Sequence, residues 1–280
     1  MANKISKKSL PRKRSRKKNR SIFSATFYIV LLITIGFSYS VYHYREALLY
    51  YFSFKTARAC KQDKVAQARI YQLLHHYKDR VIGFDVSQFQ GAIHWSEIDS
   101  IEEFKLNFVF VRATAGSDKT DLKFKENWDK ARQYHFIRGA YHYYRPDENS
   151  LEQAKNFIAT VQLQKGDFPP VLDIEKLSET QSTDSLKVGL RRWLDVVDKH
   201  YKVKPIIYTN EKYYNDFLKN EFKGYLYWIA NYNFFVENIK DEWTFWQFTE
   251  KAKIKGIDGS VDVTIYNGTP KMLYYLTNPN

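Results

Sequence analysis

The hydrophobic and polar positions follow different patterns in different parts of the chain. Residues 21–44 contain no charged side chain and are rich in isoleucine, leucine, valine and phenylalanine. A helix rises about 1.5 Å per residue, so about 20 apolar residues cross the hydrocarbon core of a bilayer. We therefore predict a single transmembrane anchor at 21–44. Residues 45–80 have apolar positions at loosely helical spacing, which predicts a short helical stalk.

From residue 81 onward, short apolar runs alternate with amphipathic stretches. Runs rich in β-branched and aromatic residues predict strands at 81–86, 107–112, 137–143, 170–174, 204–208, 226–230, 243–248 and 261–265. Amphipathic spacing predicts helices at 122–134, 150–163, 184–200 and 211–220. This alternation favours an α/β fold with a parallel sheet and crossover helices. The strand number favours a compact barrel domain at 81–272, related to the (β/α)8 type.

The first 20 residues form a basic tail with ten Lys or Arg and no acid. They account for most of the net charge of +13, because the rest of the chain carries only +3. A basic flank beside an apolar span stays in the cytoplasm. We therefore expect a single-pass protein of the cell membrane, with the barrel on the periplasmic or extracytoplasmic side. The tail is interpreted as a topology signal and not as a nucleic-acid-binding surface.

A cleaved signal peptide is the competing interpretation of the N-terminal segment. Ser38-Tyr39-Ser40 matches the small-x-small cleavage pattern poorly, and the basic region is long for a signal, which favours an uncleaved anchor. The chain has one cysteine, Cys60, so no intrachain disulfide forms. We interpret Cys60 as an incidental thiol, with an intermolecular disulfide or a lipidated cysteine as the alternatives.

Two acids, Asp173 and Glu175, end the apolar run at 170–174. Residues i and i+2 of a strand point to the same side, so the two carboxyl groups are expected side by side. Neighbouring carboxylates resist ionising together, which raises the pKa of one of them. Glycoside hydrolysis requires a protonated acid beside an ionised carboxylate. The pair is therefore a candidate catalytic site.

Other polar and aromatic residues stand at the ends of the predicted strands. In barrels of this type the active site lies at the C-terminal ends of the strands. We predict that Asp85 and Asp262 join Asp173 and Glu175 as catalytic acids. Residues predicted to contact substrate are Arg112, Tyr141, Tyr143, Tyr208, Trp228, Asn231 and Gln247. Simpler roles remain open, because Asp85 could cap a helix, Asp262 could order a turn, and aromatic residues at a barrel rim are often core.

The sequence lacks the motifs of several other kinds of site. It has no H-E-x-x-H motif, no paired cysteines and no histidines at the spacing of metal ligands, so no metal is predicted. It has no glycine-rich phosphate-binding loop and no G-x-S-x-G elbow. We therefore expect no cofactor, and the sequence identifies no protein partner.

The segments that carry these candidates resemble the lysozymes of glycoside hydrolase family 25. The resemblance covers about residues 81–270. It rests on 83–91 (GFDVSQFQG), 93–95 (IHW), 108–116 (FVFVRATAG), 121, 124 and 127 (D, F and N), 139–144 (GAYHYY), 172–175 (LDIE), 205–209 (PIIYT), 228–232 (WIANY), 245–249 (FWQFT) and 256–262 (GIDGSVD).

The resemblance implies a (β/α)5β3 barrel that cleaves the β-1,4 bond between N-acetylmuramic acid and N-acetylglucosamine in peptidoglycan glycan strands. It implies that Glu175 is the proton donor and that Asp173, Asp85 and Asp262 are the acids beside it, with their division of roles open. The sequence departs from the family pattern at Arg112, where lysine is frequent, and at Ala115, where glutamate is usual. The alternatives are a wall-binding module with little or no turnover and a membrane-anchored assembly partner.

Overall fold

The computed structural model describes residues 19–53 and 61–277. The basic tail, apart from its last two residues, and Cys60 lie outside the described residues. Helix α1 (Asn19–His43) contains the segment Ala25–His43, which has a mean hydropathy of 1.6 and is not buried against the rest of the protein. Its length and composition would allow it to cross a membrane, and a signal sequence would share these properties.

Two helices occupy the described part of the segment predicted as a stalk. Helix α2 (Arg45–Tyr51) follows α1 directly, and helix α3 (Lys61–His76) precedes the barrel. Helix α3 packs against the barrel, and its side chains Ile70, Leu73 and Leu74 are buried in the main hydrophobic core. This part of the predicted stalk is therefore helical, and it packs against the barrel.

Eight strands form a closed barrel. They are β1 (Val81–Val86), β2 (Phe104–Ala115), β3 (Ile137–Tyr143), β4 (Val171–Asp173), β5 (Ile206–Asn210), β6 (Leu226–Ala230), β7 (Phe245–Ala252) and β8 (Val261–Tyr266). Neighbouring strands from β1 to β7 are parallel, whereas β8 is antiparallel to both β7 and β1. Two-residue strands at Ser100–Ile101 and Lys119–Thr120 pair with β2.

Helices follow β2, β3, β4 and β5 on the outside of the barrel. They are α4 (Phe124–Gln133), α5 (Ser150–Thr160), α6 (Thr183–Tyr201) and α7 (Glu211–Tyr213), and helix α8 (Pro270–Thr277) follows β8. The segment predicted as a helix at 211–220 is helical over residues 211–218, but only Glu211–Tyr213 is α-helical and Tyr214–Leu218 forms a π-helical turn. Short 3-10 turns at Gln88–Gln90 and Trp95–Glu97 follow β1.

The barrel interior is filled by aromatic rings. Phe108, Phe110 and Phe245 are fully buried there, and their ring centroids lie 5.5–5.7 Å apart. A Cβ atom on Gly83 would lie 2.3 Å from the ring of Phe108, so this position admits only glycine. The packed interior closes the middle of the barrel and leaves the rim as the place for a site.

Candidate active site

The structure places all four predicted acids at one rim of the barrel. Asp173 is the last residue of β4, and Glu175 lies two residues beyond it. Asp85 near the end of β1 pairs in register with Asp262. Asp262 lies near the start of β8, and it reaches this rim because β8 runs antiparallel to its neighbours.

Burial and mutual repulsion keep protons on these acids. Asp85 and Asp173 are 8% and 5% exposed. The pKa of Asp85 is raised well above its usual value by burial and then by the charges of Asp262 and Glu175. The pKa of Asp173 is raised in the same way by burial and by Glu175 and Asp85. The cluster therefore retains protons at a pH where isolated carboxyl groups would be ionised.

The two more accessible acids are also perturbed. Burial, followed by the charges of Glu250 and Glu175, raises the pKa of Asp262 to about 6. Glu175 is exposed at the mouth of the site. The protein atoms around its carboxyl group nevertheless raise its pKa, while a hydrogen bond with Asp173 acts in the opposite direction. Glu175 is thus the acid of the four that is most open to a bound molecule.

One oxygen of Asp173 lacks a hydrogen-bond partner. The Oδ1 atom is buried, and no donor lies within hydrogen-bonding distance among the described residues. A buried acceptor without a partner costs free energy, so proteins retain few of them. This oxygen is available to a donor on a ligand.

A hydrogen-bonded chain holds Asp85. The Gln247 Nε2 atom donates to Asp85 Oδ2 at 2.7 Å. The hydroxyl groups of Tyr208 and Tyr232 both donate to Gln247 Oε1, at 2.7 Å and 2.5 Å. The two tyrosines therefore fix the orientation of the Gln247 amide. Tyr232 was not among the predicted site residues, although its place directly after Asn231 in an aromatic segment was a usable signal.

Arg112 and two tyrosines border the acids on another side. Arg112 Nε donates to Asp121 Oδ2 at 2.9 Å, and its guanidinium lies 4.5 Å from the centre of the Phe89 ring. The charge of Arg112 lowers the pKa of Asp173, against the larger effect of burial. Tyr143 and Arg112 line a cleft of about 600 Å³. Burial and then the charge of Asp85 raise the pKa of Tyr141, which lies among the acids.

Trp228 lies below the rim and not on it. It is 2% exposed, stacks on Phe110 at 4.4 Å, and donates from its indole nitrogen to Thr264 Oγ1 at 3.1 Å. The prediction that it contacts substrate from the rim is therefore wrong in its placement, because its side chain points into the barrel interior. Trp228 instead supports the ring of Tyr208, whose centroid is 4.5 Å away.

Asn231 directly follows the strand at 226–230, as predicted, and its side chain is bound within the protein. Strand β6 ends at Ala230, so Asn231 begins the following loop. Its Nδ2 atom donates to Glu211, and its Oδ1 atom accepts from the backbone N–H of Asn233 at 2.8 Å. Both ends of the amide are thus engaged in holding the loop.

Among the described residues, no group of three or more His, Cys, Asp or Glu side chains is arranged to hold a metal ion.

The model of the family called Glycosyl hydrolases family 25 matches residues 84–257. The chain belongs to this family. The matched residues include Asp85, Asp173 and Glu175, and Asp262 lies five positions beyond them. This family 25 chain is a glycoside hydrolase of the lysozyme type.

Relatives of this family 25 chain cover most of its barrel. An uncharacterized protein of Escherichia coli K12, YegX, is 36% identical over 194 residues, which are 68% of this chain and 71% of YegX. Lysozyme M1 of Streptomyces globisporus is 29% identical over 214 residues and 71% of each chain. The structure of a family 25 glycosyl hydrolase from Bacillus anthracis aligns with a TM-score of 0.64 at 28% identity, covering 71% of this chain and 94% of that one.

Proposed function

We propose that this family 25 hydrolase is a membrane-tethered N-acetylmuramidase. It would cleave the β-1,4 bond between N-acetylmuramic acid and N-acetylglucosamine in peptidoglycan. The observation that carries the proposal is the pair Asp173 and Glu175, two carboxyl groups of raised pKa that share one opening of the barrel. The relation to Lysozyme M1 supports the substrate class.

Glu175 is proposed as the proton donor. The cluster resists complete ionisation, since burial and neighbouring acids raise the pKa values of Asp85 and Asp173. Glu175 is the most accessible of the four acids, so it is the one that can pass a proton to the glycosidic oxygen of a bound strand. Loss of this oxygen leaves positive charge on the sugar ring, which an ionised acid on the other side stabilises.

Asp173 is proposed to act on the sugar opposite Glu175. Its unpartnered Oδ1 atom can accept a hydrogen bond from the substrate or stabilise the positive charge that develops. Asp85, held by Gln247, raises the pKa of Asp173 and so helps the cluster to retain a proton, and Asp262 raises the pKa of Asp85 in turn. Helices after β2 to β5, 3-10 turns after β1 and no helix between β6 and β8 support assigning the barrel to the (β/α)5β3 class.

The replacement Glu175→Gln tests the proton donor, because it preserves shape and removes the acid. Muropeptide release from purified peptidoglycan should fall by about 10²–10⁴-fold, the usual contribution of general acid catalysis. Glu179→Gln, at an exposed position four residues further on, is the matched control and should remain active. Release at the wild-type rate by Glu175→Gln would exclude this role.

Reduction of the products with borohydride identifies the bond. A muramidase leaves N-acetylmuramic acid at the new reducing end, so muramitol derivatives should form. Glucosaminitol derivatives would show that the other glycosidic bond is cleaved. Binding to peptidoglycan without any release by the wild-type chain would favour a wall-binding module.

The membrane location is proposed from α1 and the basic tail that precedes it. Full-length protein should remain in the membrane fraction, and protease added to spheroplasts should digest the barrel. A protected barrel would mean the reverse orientation, which excludes peptidoglycan as the substrate. A soluble protein that begins near Val41 would mean that the segment is a signal peptide.

A further inference from the structure

A groove of about 560 Å³ lies between helix α3 and the loop that follows β6. Helix α3 contributes Val65, Ala66 and Arg69 to its lining, and the loop contributes Tyr232 and Phe234. The α3 residues precede the segment 84–257 that the family model matches. One wall of the groove is therefore built by a part of the chain outside the family domain.

Arg69 holds the two walls of the groove together. Its guanidinium donates to the carbonyl oxygen atoms of Asn233 at 2.7 Å and Phe248 at 3.0 Å, and to those of Phe234 and Val236 at 3.3 Å. All four acceptors are backbone atoms, so the charge of Arg69 is used to fix the loop. A groove whose walls are fixed in advance binds a ligand without an ordering cost.

The groove begins at the catalytic rim. Tyr232 lines it, and the hydroxyl group of the same residue donates to Gln247, which in turn donates to Asp85. Only two side chains therefore separate the groove from a catalytic acid.

The groove and the cleft beside Tyr143 lie on opposite sides of the rim. Tyr143 and Arg112 belong to β3 and β2, whereas Tyr232 and Phe248 belong to the loop after β6 and to β7. In the closed order of eight strands, these pairs stand across the barrel from each other. A polymer that passes over the acids would leave the rim on both of these sides.

The lining of the groove suits an uncharged sugar. Tyr232 and Phe234 are 39% and 43% exposed, and aromatic faces of this kind stack on the C–H faces of pyranose rings. The other charged residues of the lining, Glu250 and Lys251, have opposite signs. Because Arg69 is committed to backbone carbonyls, the groove offers little to a phosphate group.

We propose that this groove is an additional saccharide-binding subsite, in which α3 and the Tyr232 loop hold sugar residues of the glycan strand beyond those at the catalytic acids. The subsite rests on the proposed function, since it requires a polymeric glycan as the substrate. It would make the hydrolase favour long strands over short fragments.

The test compares peptide-free glycan strands of two lengths, a tetrasaccharide and an octasaccharide, with the full-length chain in detergent. Phe234→Ala should raise KM for the octasaccharide by about two- to tenfold, as expected for one lost aromatic contact, and leave KM and kcat for the tetrasaccharide unchanged. Ala66→Trp, which fills the groove from α3, should give the same pattern. Tyr275→Ala, at an exposed tyrosine of α8 on the opposite end of the barrel, is the control and should change neither.

The subsite would be overturned if Phe234→Ala and Ala66→Trp changed KM equally for the tetrasaccharide and the octasaccharide. It would also be overturned if neither variant changed KM for either glycan. Binding to the inactive Glu175→Gln chain separates this result from a failure of the proposed function. Tighter binding of the octasaccharide that is lost in Ala66→Trp supports the subsite even if the wild-type chain cleaves neither glycan. Equal affinity for the two lengths contradicts it even if cleavage is normal.

Discussion

Asp167 and Asp85 lie at opposite ends of the barrel and are buried to the same extent, at 7% and 8% exposure. Asp167 Oδ1 accepts from Arg138 Nε at 2.9 Å, and its Oδ2 accepts from Arg138 Nη2 at 3.2 Å and from the backbone N–H of Gln164 at 2.9 Å. Asp85 accepts a hydrogen bond from the neutral amide of Gln247 and faces other acids, with no arginine or lysine bonded to it among the described residues. The carboxylate of Asp167 is therefore paired with a positive charge, whereas the carboxyl group of Asp85 is not.

The difference separates a structural acid from a catalytic one. A buried carboxylate with a bidentate arginine is satisfied, and removing either partner leaves an unpaired charge. A buried carboxyl group among other acids holds its proton and destabilises the fold when it ionises. Stability alone gives no reason to retain such a cluster, whereas a general acid requires it.

The largest expected effect concerns catalysis. Asp173→Asn should lower kcat on peptidoglycan by about 10²–10⁴-fold, because an amide cannot exchange a proton or balance positive charge at the sugar. Asp167→Asn should leave kcat per folded molecule close to the wild-type value. Turnover measured on both variants, normalised to the folded fraction, checks this. A similar loss of kcat in both would remove the distinction between the two ends.

The next effect concerns stability. Asp167→Asn should lower the free energy of unfolding by about 3–5 kcal/mol, since it leaves Arg138 buried without its anion. Asp129→Asn breaks an exposed pair with Lys125 and should cost less than about 1 kcal/mol. Denaturant unfolding followed by tryptophan fluorescence reports on the barrel, because all six tryptophans lie beyond residue 81. Equal costs for the two replacements would contradict the comparison.

The pH dependence of stability should have opposite signs at two acids. The pKa of Asp262 is raised from 3.8 to about 6 in the fold, so the unfolded chain loses this proton first as the pH rises. The free energy of unfolding should therefore fall between about pH 4 and pH 6, by a few kcal/mol at most, since each pKa unit corresponds to about 1.4 kcal/mol. Asp262→Asn should remove this decrease.

Asp147 is the control of opposite sign. Hydrogen bonds from Ser178 and Thr180 lower the pKa of Asp147 from 3.8 to about 2. Asp147 therefore contributes to the free energy of unfolding above pH 3.8, the pKa of this residue in the unfolded chain, and this contribution is lost as the pH falls from 3.8 toward 2. Unfolding curves of Asp147→Asn and Asp262→Asn at several pH values check both signs. A parallel pH profile for wild type and Asp262→Asn would show that this acid is not perturbed.

The smallest effect concerns the chain that holds Asp85. Tyr232→Phe removes one of two donors to Gln247, and Tyr208 keeps the amide oriented. We expect kcat to fall by about two- to tenfold, the size of one neutral hydrogen bond. Tyr201→Phe loses a comparable bond to the Val161 carbonyl on the outer layer and should leave kcat unchanged. A larger loss in Tyr201→Phe would show that packing, and not the Gln247 chain, governs kcat.

Local sequence patterns were sufficient for most elements of the barrel. The strands at 81–86, 137–143 and 226–230 have the predicted bounds, because β-branched and aromatic runs between turn residues specify extended backbone locally. The helix at 211–220 was predicted from amphipathic spacing alone. That spacing does not reveal the π-helical turn at Tyr214–Leu218, which places Tyr214 and Leu218 in the core.

The sequence by itself indicated an α/β barrel and the family, and it predicted four acids as candidates for the site, because these inferences rest on residues that are close together or at the ends of predicted strands. Tertiary structure decided which side chains share the rim. Closure by an antiparallel β8 sets Asp262 beside Asp85, and the inward side of β6 places Trp228 in the interior. Arg69 of α3 contacts Asn233, which is more than 150 positions away in the sequence. Tyr232 contacts Gln247, which is 15 positions away. Contacts at such separations depend on how the closed barrel brings its loops together. A local sequence pattern does not contain this information.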